Sequence, residues 1–135
     1  MLMKANYIKG LAPALLMLVV LALVVACGGP SGPTSSAANT VHTVGALFSP
    51  TTITIKKGTT LTFVDDADDG ALHILVIGQN AQQASEPGAP DFGGTSGTRI
   101  DVGGTWTTPP WTTAGTFHVA CTVHPAMNLT VTVTG

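Results

Sequence analysis

Apolar residues fall into two regimes along the chain. Up to residue 26 they run almost without interruption; from residue 40 onward they come in short stretches that alternate with threonine and other polar residues. Alternation at period two is the mark of a strand with one face buried. Thr52-Ile53-Thr54-Ile55 puts both isoleucines on one face, and Thr59–Val64 does the same for Leu61 and Phe63. In Thr116–Cys121, Phe117, Val119 and Cys121 share a face. In Asn128–Thr134, Leu129, Val131 and Val133 turn inward and Thr130, Thr132 and Thr134 outward. Val41–Phe48 reads as a first strand stopped by Ser49-Pro50, and Thr98–Val102 and Trp106–Thr108 as short strands. Ala71–Ile77 is a continuous apolar run between Gly70 and Gly78, broken by one residue, His73; such a run suits a strand buried on both faces. Gln79–Gly97 has no period and reads as a long surface excursion with one helical turn near Ala81–Ala84. Seven or eight short strands separated by turn signals predict an all-β chain, an antiparallel sandwich or barrel.

The first regime changes the picture of where the domain works. Lys4 and Lys9 precede the apolar run Leu11–Ala26. A positive segment followed by an apolar one, shorter than the roughly 20 residues of a spanning helix, reads as an export signal. It ends at Val24-Val25-Ala26-Cys27-Gly28, which resembles the lipobox of bacterial lipoproteins, a family in which the cysteine becomes the lipidated N-terminus. A retained anchor or a plainly cleaved signal are the alternatives, and each places the domain outside the cytoplasm. The next stretch, 28–39, is Gly, Pro, Ser, Thr, Ala and Asn, the composition of a flexible tether. The expected organisation is therefore a signal at 1–26, a tether at 27–39 that begins with Cys27, and one domain at 40–135.

Five Lys+Arg against seven Asp+Glu leave no basic stripe, so nucleic acid is not an expected partner. The acidic run at 65–69 fails the calcium-loop pattern, since its third position is Ala67 and its twelfth Val76. It reads as a solvated turn.

The chemistry concentrates in Cys121-Thr122-Val123-His124-Pro125-Ala126-Met127. Thiolate, imidazole and thioether form a soft donor set, and two histidines, one cysteine and a distant methionine are the ligands of blue-copper centres. The loop supplies one histidine, so a second must come from elsewhere. His73, alone in an apolar strand, is the candidate. His42 has no evident partner nearby, and His118 lies three residues before Cys121, hence on the opposite face of its strand; both read as surface residues. Met127 could instead be a gap-filling core residue, and Cys121 an inert buried thiol. If Cys27 carries lipid, Cys121 has no disulfide partner.

Gly115–Val133, with Cys121, His124 and Met127 in it, resembles the C-terminal signature of the plastocyanin-like cupredoxins. Phe48–Phe63 resembles that family's early strands, and His73 falls where the family places its first copper ligand. The two-residue gaps on either side of His124 are similar to the short ligand loop of its amicyanin-like members. Many members carry Asn directly after the first histidine; here the residue is Ile74. The resemblance implies a cupredoxin-like Greek-key β-sandwich or barrel. It also implies one type 1 copper held by His73, Cys121 and His124 with Met127 axial.

The expected function is that of a lipid-anchored, extracytoplasmic carrier of single electrons between protein redox partners such as cytochromes or membrane complexes. It would be monomeric and not an enzyme. An oxidase would need a further metal cluster, for which too few histidines remain, and a binuclear site would need a second cysteine in the loop. Copper binding and delivery in the cell envelope is the alternative use of the same ligands.

Overall fold

The computed structural model describes residues 39–66 and 70–135. The expected signal, Cys27 and most of the tether lie outside the described residues, as do 67–69. Ten strands are present: β1 Thr40–Val44, β2 Leu47–Ser49, β3 Thr52–Lys56, β4 Thr62–Asp65, β5 His73–Gln79, β6 Gln82–Gln83, β7 Thr98–Ile100, β8 Thr105–Thr107, β9 Gly115–Cys121 and β10 Asn128–Thr134. A 3-10 turn, Gly94–Ser96, is the one helical element among the described residues.

One sheet runs β2-β1-β4-β8 and the other β3-β10-β9-β5-β6, with β7 also paired to β5. Their inward residues, Val41, Phe48, Leu61 and Phe63 from one and Ile55, Leu75, Phe117, Val119, Leu129, Val131 and Val133 from the other, form a single core. Burying each such side chain is worth about 1.5–3 kcal/mol, which is what selects the register in which the threonines of β3 and β10 face away from the core. The all-β expectation holds, with two corrections. The described residues hold ten strands, because Val41–Phe48 folds back on itself at Gly45 (φ 58°) as the hairpin β1–β2, and because the excursion contributes β6. The sheets are mixed rather than antiparallel, since β1 runs parallel to β4 and β3 parallel to β10.

The 79–97 segment also differs from its reading as a surface excursion. Asn80 (φ 53°) and Ala81 (φ 62°) make a tight turn that returns the chain as β6 against β5, where a helical turn was expected. Further on, Phe92 is buried, its ring 4.8 Å from Trp106 and 6.1 Å from both Phe63 and Trp111. Gly97 (φ 70°) lets the segment rejoin β5 closely, for a Cβ there would come within 2.9 Å of Val76 and Ile74 side chains. Trp111 is fully buried and Trp106 half-buried. No helix among the described residues is long and apolar enough to cross a membrane.

Register places the ends of β1, β4, β7 and β9 and the starts of β5 and β10 at one end of the sandwich. The candidate residues sit there.

Candidate metal centre

Cys121 is the last residue of β9. The alternation that buries Phe117 and Val119 carries its thiol inward, where it is completely buried. Among the described residues it is the one free cysteine. The chain then turns: the Met127 amide donates to the His124 carbonyl at 2.9 Å, and the Cys121 amide donates to the Met127 carbonyl at 3.1 Å. These two bonds close the seven-residue loop on itself. His124 is half-buried within it, while Met127 is fully buried and part of the core.

His73 opens β5, paired with Ile100 of β7, and is fully buried. Its Nδ1 lies 3.7 Å from Cys121 Sγ, and His124 Nδ1 lies 3.7 Å from the same sulfur. The two imidazoles stand 5.0 Å apart, tilted by 51°. One donor atom from each of the three residues lies within 4.8 Å of the others. For metal–sulfur and metal–nitrogen bonds of about 2.3 Å and about 2.0–2.1 Å, as zinc makes, a trigonal angle places the two donors about 3.7–3.8 Å apart. Both sulfur–nitrogen edges fit that triangle, and the donor set is of the kind that could bind one copper ion.

Ile74 follows His73, and the loop is braced to it through the backbone. Leu75 pairs with Cys121 across β5 and β9, and the Thr122 amide donates to the Ile74 carbonyl at 2.9 Å. A side chain at position 74 is not needed for that tie.

Behind His73 lies a residue whose place in an acidic run suggested a solvated turn. Asp65 ends β4 and is 2% exposed, with one carboxylate oxygen 3.6 Å from His73 Nε2. Thr43 Oγ1 donates to that oxygen at 2.6 Å, and the Gly103 amide donates to the other at 3.1 Å. The signal for its burial was available: Leu61, just before β4, and Phe63 and Asp65 within it are spaced by two, and all three are buried.

The other histidines lie outside this cluster. His118 faces away from the core as expected, where Glu86 accepts from its backbone amide at 2.7 Å and contacts its Nδ1 at 2.9 Å. His42 corrects the expectation of no nearby partner: its Nδ1 is 3.0 Å from Asp66.

No protein-family model matches the chain, and no curated protein matches it. Among solved structures it is similar to amicyanin from Paracoccus versutus (Thiobacillus versutus), with 19% identity and a TM-score of 0.55 over 76% of this chain and 86% of that one. It is also similar to a reduced amicyanin variant, with 19% identity and a TM-score of 0.54 over 76% of this chain and 87% of that one. A copper-containing nitrite reductase from Thermus scotoductus aligns at 24% identity and TM-score 0.52, over 71% of this chain but only 22% of its own. These likenesses identify the sandwich as the cupredoxin fold.

Proposed function

We propose that the chain is a cupredoxin-type electron carrier in which His73, Cys121 and His124, together with Met127 from the same loop, would hold one type 1 copper. The observation that carries the reading is the convergence of one buried thiol and two imidazole Nδ1 atoms, each 3.7 Å from the sulfur, at the end of a cupredoxin fold. When bound, copper supplies a one-electron couple there. The residues supply the rest. Cys121 and His73 are fully buried, which excludes water from two of the three donors; the β5–β9 pairing fixes their separation, so little has to move when charge changes. His124 is the half-exposed member of the set and gives an electron its shortest way to the surface. Val102 (47% exposed) and Val123 (43% exposed), near Gly103 and His124 in sequence, leave apolar surface at the same end for a redox partner.

Burial of Cys121 and His73 favours a retained ion over one handed on, and so a carrier over a delivery protein. A carrier role agrees with the similarity to amicyanins. The nitrite reductase likeness covers only about a fifth of that enzyme, and among the described residues one metal-capable cluster is found. The proposed location is extracytoplasmic, with lipid on Cys27; the support is Lys4, Lys9, the Leu11–Ala26 run and the small residues before Cys27.

One preparation tests the whole reading. The full-length protein, extracted from bacterial membranes with detergent and loaded with Cu(II), should be intensely blue with a type 1 EPR signal, and its intact mass should include an acylated Cys27. A colourless one-to-one complex would refute the type 1 site. An unmodified Cys27 would refute the anchor and leave the copper assignment untouched.

A further inference from the structure

Asp65 is a buried acid for which the copper reading has no use. Its side chain and that of His73 are both fully enclosed, and four separate segments meet at its carboxylate. β4 carries it, Thr43 of β1 donates a hydroxyl to one oxygen, the Gly103 amide donates to the other, and His73 of β5 presents Nε2 to it at 3.6 Å. The Asp65 amide donates to the Gly104 carbonyl at 2.9 Å, so the backbone beneath it is tied to the same loop. Both oxygens accept from donors, as an ionised carboxylate does, and the 2.6 Å approach of the Thr43 hydroxyl is of charge-assisted length. At 3.6 Å the approach to His73 is longer than a hydrogen bond. What it exerts on the ring is a fixed negative field on the side away from Cys121.

The ring's two nitrogens have separate tasks. Nδ1, facing Cys121, must offer a lone pair to hold a metal, so the proton of a neutral imidazole belongs on Nε2, the nitrogen that faces Asp65. A carboxylate beyond a ligating histidine stabilises that tautomer and makes the ligand more basic.

We propose that Asp65 is a positioning residue for the metal centre: through His73 it keeps Nδ1 unprotonated and directed at Cys121, and its charge favours the more highly charged state of the bound ion. This rests on the copper reading for its redox part and on the geometry around His73 for its tautomer part.

Asp65→Asn, which keeps the shape and removes the charge, should raise the reduction potential of the copper-loaded full-length protein and weaken Cu(II) affinity by about 10–100-fold. Thr43→Val, which removes a hydroxyl that draws charge off the carboxylate, should lower the potential. A role limited to packing gives shifts of the same sign in both variants, or none, and either result overturns the proposal. Should Asp65→Asn not fold, the sign of the Thr43→Val shift decides alone. In the metal-free wild type, nitrogen NMR should find the His73 proton on Nε2; a proton on Nδ1 overturns the proposal without copper. If the wild type binds no copper at all, the copper reading has failed, and the NMR result still judges Asp65.

Discussion

The two sides of the candidate site are built in opposite ways. Cys121, His124 and Met127 come from one seven-residue loop whose two backbone hydrogen bonds close it on itself. His73 stands on the far side, against a bed assembled from β1, β4, β7 and the turn at Gly103. One side is local chemistry; the other is tertiary structure. Most of the donors can be exchanged within a short loop that has its own closure, whereas the histidine opposite is held by side chains that also join the two sheets. Changes on the loop side should therefore act on the metal and spare the fold, and changes on the bed side should act on both.

Replacing the sulfur tests the loop side most severely. Cys121→Ser keeps the β9 backbone and the loop closure but exchanges a soft donor for a hydroxyl in a fully buried place. The blue absorption should vanish altogether and Cu(II) affinity should fall by orders of magnitude. The fold should lose no more than about 1–3 kcal/mol, the ceiling set by a buried hydroxyl with no partner, because the imidazole nitrogens that face the sulfur can accept from the new hydroxyl. Absorption and urea denaturation of the same sample measure both. Global unfolding, or a surviving blue band, would erase the distinction between the two sides.

Met127→Leu is a milder probe of the same loop. The two side chains are similar in volume, so the core that encloses Met127 should lose less than about 1.5 kcal/mol. Copper should remain and the reduction potential should rise, because a thioether that stabilises the oxidised ion has gone. An unchanged potential in voltammetry would take Met127 out of the site and leave it as a core residue, making the loop a two-donor fragment.

What could be read from the sequence follows the same division. The spacing of Cys121, His124 and Met127 is local, so the donor set is legible in the residue order alone. The strand pattern is legible too, because the burial of Leu129, Val131 and Val133 is decided within each strand. His73 could be singled out only because the loop demanded a second histidine. Asp65 was missed because a run of acids suggests solvent, although its spacing from Leu61 and Phe63 pointed inward. Parallel pairing of β1 with β4, the anchoring of Phe92 among Phe63, Trp106 and Trp111, and the brace from Thr122 to Ile74 are long-range facts. No local period encodes them.

The smallest effect is expected at His118, three residues from Cys121 yet on the other face of β9. Its Nδ1 meets Glu86, but Glu86 also accepts from the His118 backbone amide, a bond that survives any change of side chain. His118→Ala therefore removes one of the two links by which Glu86 ties the 79–97 segment to β9. The loss from a partly exposed pair of this kind is about 1 kcal/mol or less. The visible spectrum and reduction potential of the copper-loaded protein should not change. If the blue band were lost, the far face of β9 would belong to the site, and the separation drawn between a local loop and a tertiary bed would have to include a third, distant support.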